Sequence, residues 1–214
     1  MAAIDWPTNL RKSVEFAAWP TWQQVGQRSP YTGGSEVMTR WHQWRAQIRW
    51  GVLTHDQAHA LEAFLHRLEG RRFTVRIPNW RYRRSIGTKT GSVSTSGSHV
   101  VGATGITLTG GSGLFFAGDY FQIVQESGVP RMYQVVQGED ELGGGNVTIK
   151  PGLRVAHGGG AVVDHLGKSG VTEIKETMEM TSDYGPAAMF PSPSPGYVSG
   201  PAVDFVSALR TSFL

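Results

Sequence analysis

The chain has no cysteine among its 214 residues, which rules out disulfides and thiolate metal sites. No apolar run approaches the ~20 residues of a membrane helix. The opening MAAIDWPTNL has neither the positive lead nor the apolar core of a secretory signal. Catalytic signatures are missing as well. There is no Gly-x-Ser-x-Gly elbow, no Gly-x-x-x-x-Gly-Lys-Ser/Thr phosphate loop and no Gly-x-Gly-x-x-Gly following a strand. Neither paired carboxylates nor a nucleophilic triad can be nominated, so the chain is expected to be no enzyme and to carry no cofactor and no metal.

What the chain has instead is glycine, 28 residues of it, together with many Thr, Val and Ser. That composition favours strands and turns over helices. Charge is unevenly spread. Residues 1–89 hold fourteen Lys and Arg against six Asp and Glu, net +8, while residues 90–214 hold six against eleven, net −5. All seven tryptophans lie between Trp6 and Trp80. Opposite halves can attract each other or let copies stack head to tail; equally, each can simply be solvated.

The stretch from Trp41 to Ile77 organises the chain. Trp44, Ala46, Ile48 and Trp50 alternate with Gln43, Arg45, Gln47 and Arg49, the period of a half-buried strand. Gly51 ends it. Thr54 and Gln57 have capping-box spacing. Ala58, Leu61, Phe64, Leu65 and Leu68 then make one apolar helical stripe, with Leu61, Phe64, Leu65 and Leu68 as its core. Gly70 can take the left-handed conformation that closes a helix. A second strand alternates Phe73, Val75 and Ile77 with Arg72, Thr74 and Arg76, and stops at Pro78. The two strands are expected in one sheet with the helix across their apolar face.

Before this unit, Trp6-Pro7, Trp19-Pro20 and Ser29-Pro30 predict an irregular lead over residues 1–40, with a turn at Tyr31-Thr32-Gly33-Gly34. After it, short strands with tight turns are predicted at 98–101, 105–109, 120–125, 131–137, 147–149 and 161–164, the pattern of a small barrel. Alternation over Val171–Met180 reads as a strand returning to the first sheet. Prolines 186, 191, 193, 195 and 201 mark a linker, and Val203, Phe205, Val206, Leu209, Phe213 and Leu214 a short amphipathic segment that docks on this chain or another.

Three groups of polar residues bear on chemistry. Trp80-Arg81-Tyr82-Arg83-Arg84 interleaves rings that can stack on bases with cations that can hold phosphates, and the same residues also anchor protein interfaces. A small β-barrel nucleic-acid-binding protein using this run is the alternative reading. His55 and His59 are four apart on the helix but lack a third ligand, and read as exposed. Asp119 reads as a turn-former, and Glu139-Asp140-Glu141 as a solvated acidic loop whose spacing is not that of a calcium loop.

Several runs together resemble the distal tail proteins of long-tailed bacteriophages: Trp19-Pro20, Ser29-Pro30-Tyr31-Thr32-Gly33-Gly34, the Trp-rich strand ending Arg49-Trp50, Ala63-Phe64-Leu65, Leu68-Glu69-Gly70, Phe116-Ala117-Gly118-Asp119-Tyr120-Phe121-Gln122-Ile123 and Val147-Thr148-Ile149-Lys150-Pro151-Gly152-Leu153-Arg154. The resemblance covers about residues 15–180. It implies a barrel flanked by a helix; with the strand pattern and the prolines, the expected fold is mainly β with one main α-helix: a small antiparallel β-barrel or split barrel flanked by the helix, with a second small β-barrel module inserted and an extended C-terminal arm. The expected division is a ring-forming unit at 1–84 with 171–185, the inserted module at 85–170, and a Pro-rich arm at 186–214. The resemblance also implies a virion protein of the tail tip that forms a six-fold ring with itself, between the tail tube protein and the baseplate hub. DNA would pass through the lumen without specific binding, and no part would span a membrane. Candidate contacts between copies are Trp6, Trp19, Trp22, Arg45, Arg49, Trp80, Arg81, Tyr82, Arg83, Arg84, Phe205 and Leu209.

Overall fold

A computed structural model describes residues 3–8, 10, 14–28, 35–69, 73–80, 82, 84–124, 129–181, 190–191, 197–200 and 202–207; for 14–28, 35–43, 190–191, 197–199 and 207 it describes the backbone alone. The fold is mainly β, with one long helix, a closed small barrel and a separate mixed sheet. The strands of the first half are β1 (Ile4–Asp5), β2 (Val14–Arg28), β3 (Ser35–Trp50), β4 (Val52–Thr54) and β5 (Thr74–Pro78). The barrel uses β6 (Thr90–Ser96), β7 (Gly105–Ser112), β8 (Tyr120–Val124), β9 (Pro130–Gln137), β10 (Asn146–Lys150) and β11 (Val162–His165). Then come β12 (Lys175–Met180), β13 (Phe190–Pro191), β14 (Tyr197–Ser199) and β15 (Ala202–Ser207).

The larger sheet runs β1-β5-β12-β15-β3-β2. Among the described strands only the β1–β5 pair is parallel. β3 shows the expected alternation: Trp44, Ala46, Ile48 and Trp50 are buried, and Arg45, Gln47 and Arg49 are exposed. β3 and β5 do share this sheet, but β12 and β15 lie between them. Helix α1 (His55–Leu68) covers the apolar face with Ala58, Leu61, Phe64, Leu65 and Leu68, all buried. It starts at the predicted capping box, with the Thr54 hydroxyl and Gln57 side chain each accepting the other's backbone N–H. It closes one residue earlier than predicted, because Glu69 takes the left-handed conformation, φ 46°.

The irregular lead expected over 1–40 is corrected by β2, which pairs with β3 along its whole length. Pro20 does not break it. A strand at the edge of a sheet has one unpaired side, so a missing N–H there need cost no ladder bond. The predicted turn at 31–34 lies outside the described residues.

The C-terminal arm is also corrected. Ala202–Ser207 is a strand within the sheet, hydrogen-bonded to β3 on one side and β12 on the other. Val203 and Phe205 are buried in the main core. Upstream, β13 and β14 extend a small second sheet from β4. Gly200 lies between β14 and β15: its N–H donates to the Gly51 carbonyl at 2.9 Å, and a Cβ there would collide with that of Trp50.

All six barrel strands fall between β5 and β12, which pair directly with each other. Around the barrel the order is β10-β7-β6-β11-β8-β9, closed by β9 on β10. Ile106, Leu108, Phe121, Ile123, Tyr133, Val135, Val147, Ile149 and Val163 fill it. The predicted strand at 98–101 is a single bridge, His99 to His157. The unpredicted β6 carries only Val93 and Thr95 inward, too little for an apolar signal. The acidic loop begins with one helical turn, α2 (Glu139–Leu142).

Because Phe205 packs inside the sheet unit, Phe205→Ala is expected to lower stability by about 3–5 kcal/mol. An arm residue would change it by less than about 0.5 kcal/mol. Denaturant unfolding followed by tryptophan fluorescence distinguishes the two.

Candidate functional site

Most aromatic members of the expected contact set serve the chain's own interior. Trp6 is buried and stacks on Trp50 at 5.8 Å, with Phe64, Trp80 and Phe205 edge-on to it at 5.2, 5.2 and 6.1 Å. Trp6 and Phe205 are therefore core residues, not contacts between copies. Trp80 is half-buried against the same core. Tyr82 stacks on Tyr120 at 4.4 Å. Arg84 is exposed. Arg81, Arg83 and Leu209 lie outside the described residues, as do the side chains of Trp19 and Trp22, whose backbones belong to β2.

Arg45 and Arg49 stand on the face of the sheet opposite the helix, and both are exposed. That face is polar and mixed in sign. Gln47 donates to Asp204 at 3.0 Å, and Arg76 and Lys175 lie 3.5 and 4.0 Å from Asp5. β2 is the last strand on this side. Among the described residues, β15 pairs with residues 45–49 of β3, and from Ser35 to Trp44 the hairpin shows two strands without a third. That stretch of β3 is ten residues long and reaches roughly 33 Å, and an isolated two-stranded hairpin is marginal in water.

Three buried charge clusters went unread in the sequence. Asp119 is one. Its carboxylate accepts from Ser85 Oγ (2.8 Å) and from the N–H groups of Ile86 (2.6 Å), Gly87 (3.0 Å) and Phe116 (2.9 Å). It closes a turn, as expected, and also ties residues 85–87 to that turn. Gly87 has no room for a Cβ, which would strike the Asp119 carboxylate and the Leu114 carbonyl.

The second is an ion pair. Lys89 Nζ lies 3.0 and 3.1 Å from the two Glu139 oxygens, with both side chains buried. Glu139 Oε2 also accepts from the Phe115 N–H at 3.0 Å, and the Glu139 N–H returns a bond to the Phe115 carbonyl at 2.9 Å. The expectation of a solvated acidic loop is thus corrected for Glu139, while Asp140 and Glu141 are exposed.

The third joins barrel to sheet. Glu176 of β12 is 1% exposed. It takes the Met132 N–H at 2.6 Å and faces Arg131 at 3.5 Å and Arg154 at 3.0 Å. Arg131 also donates to the Thr177 carbonyl, and Arg154 N–H to the Tyr133 hydroxyl. Burial pushes that hydroxyl up to about 12. Trp44 Nε1 donates to the Met132 carbonyl at 2.9 Å, and the Lys175 N–H to Gln122 at 2.6 Å. The signal that could have exposed Glu176 is its position: a lone carboxylate between Ile174 and Met178 on the apolar face of a strand. Arg154 ends the Lys150-Pro151-Gly152-Leu153-Arg154 run.

These groups hold one segment of the chain to another. Among the described residues no three His, Asp or Glu gather as a metal site. His55 and His59 are exposed, with His59 4.0 Å from Glu62. No described helix is long and apolar enough to cross a membrane.

Removing one partner of a buried ion pair leaves an uncompensated charge. Lys89→Met is therefore expected to cost about 3–5 kcal/mol, and adding Glu139→Gln to return part of that loss. Chemical denaturation of the two single variants and the double one measures the coupling.

No protein-family model matches the chain, and no curated protein matches it. The functional reading therefore rests on the residues and their arrangement.

Proposed function

We propose that this chain is a structural subunit of a bacteriophage tail tip, similar to the distal tail proteins, and that its copies form a six-fold ring between tail tube and baseplate hub. In this reading residues 1–84 with 171–185, completed by β15, build the ring, and the barrel at 85–170 is carried as a module on it. The protein is a virion component that acts by assembling, without turning over a substrate.

The observation that carries this reading is the β2–β3 hairpin. Its edge strand is 15 residues long, and among the described residues no third strand pairs with its outer half. Long unpaired edges invite pairing with another chain. Head-to-tail pairing that closes on itself makes a ring. The exposed sheet face adds support. Arg45 and Arg49 stand beside Asp204 and Gln47, and a lumen with interspersed charges lets DNA slide without gripping it. The nucleic-acid reading of the Trp80–Arg84 run gains nothing comparable, since Trp80 and Tyr82 already pack on Trp6 and Tyr120.

Light scattering on the purified protein, alone and with tail tube protein, tests the proposal. A species near six times the 23.3 kDa chain is expected, and replacing 21–43 by a short turn should return it to monomer while α1 and the barrel stay folded. A chain that stays monomeric under both conditions refutes it. A salt-dependent shift with single-stranded DNA, lost on changing Arg81, Arg83 and Arg84 to Ala, would favour the nucleic-acid reading instead.

A further inference from the structure

His165 ends β11 and takes no part in the junction with the sheet. It is almost wholly enclosed. Its ring stands edge-on to Phe115, centroids 5.2 Å apart. Nε2 lies 3.0 Å from the Gly91 carbonyl. A carbonyl can only accept, so Nε2 carries the ring hydrogen and Nδ1 presents a bare lone pair. Nδ1 is buried with no hydrogen-bond partner.

Each neighbour is either occupied or of the wrong sign for a second proton. Lys89, just ahead of β6, sits over the same Phe115 ring at 5.6 Å. Glu139, from α2, has both oxygens on Lys89 and one on the Phe115 N–H. On His165's own strand and the turn after it, Asp164 and Lys168 pair with each other, and Asp164 also accepts from Gln122. Gly167 backs the site so closely that a Cβ there would strike the Lys89 carbonyl. Burial holds the imidazole below the ordinary histidine range; the Gly91 carbonyl opposes it, Lys168 and Lys89 add to it, and Asp164 opposes it least.

The geometry points to His165 as an acid-sensitive latch on one end of the barrel: charging its ring breaks the Lys89–Glu139 bridge and, with it, the paired bonds between Glu139 and Phe115. The added proton goes to Nδ1, which has no acceptor. The imidazolium then repels Lys89, which lies over the same Phe115 ring, or leaves the site, and in either case α2 and the turn carrying Phe115 come free. That end already exposes Leu114 and Leu142, so its release enlarges one apolar surface. Because the folded-state pKa lies below the unfolded one, the stabilisation is complete above about pH 6.5 and is lost as pH falls through the folded value.

Hydrogen exchange on the full chain, corrected for intrinsic rates, tests this. The amides of Phe115 and Glu139 are expected to exchange at least about tenfold faster near pH 5 than near pH 7.5, while those of Val135 and Ile149 hold. His165→Gln keeps a donor for the Gly91 carbonyl but cannot take a proton, and should stay protected at both values. Wild-type protection that ignores pH overturns the latch, as does an unchanged acid response in His165→Gln. If that variant does not fold, NMR titration of the wild-type ring decides. A ring that titrates at or above about 6.5 with Phe115 still protected overturns it, and one that titrates lower, in step with loss of that protection, upholds it.

Discussion

The fold depends on one carboxylate. Glu176 lies between two guanidiniums and one backbone N–H at the point where the chain leaves the barrel and rejoins the sheet. The barrel enters after β5 and exits before β12, and those strands are neighbours. Without further contact it would hang from a two-stranded stem. The Glu176 cluster, the Trp44–Met132 bond and the Lys175–Gln122 bond hold it against the sheet instead. Desolvating these charges costs much of what their attraction returns, so the gain is chiefly in orientation. A hydrogen-bonded cluster with a single satisfied arrangement admits one docking angle. β8 and β9 show the consequence: Phe121 and Tyr133 point into the barrel while Tyr120 and Met132 join the sheet's core.

What could be read in the sequence was what local chemistry fixes. Trp44 to Trp50 alternates because one face is core and the other is solvent, and Thr54 and Gln57 cap a helix wherever they find one. β2 hid behind Pro20, since a proline signals a break unless the strand is known to be an edge. β15 hid behind the prolines before it. Its central place in the sheet depends on pairing with β3 and β12, both distant in sequence, and no local pattern records that. The buried charges were missed for a related reason. In the Glu139-Asp140-Glu141 run only the first residue is buried, and what distinguishes it is Lys89, fifty residues earlier.

The same geometry changes which surface bears the assembly reading. Aromatic excess in the first 80 residues looks like a mating surface, yet Trp6, Trp44 and Trp50 are core and Trp80 packs on them. Among the described residues, what remains exposed on this unit is a strand edge and a polar sheet face.

Whether sheet and barrel act as one cooperative unit can be tested directly, because every tryptophan lies before the barrel, in the part of the chain that builds the sheet. Unfolding of the wild-type chain and of Glu176→Ala should be followed by tryptophan fluorescence and, in parallel, by amide exchange of Ile123 and Val147 inside the barrel. The account predicts coincident transitions in the wild type and two separated ones in Glu176→Ala. Separate transitions already in the wild type, or coincident ones in the variant, would contradict it.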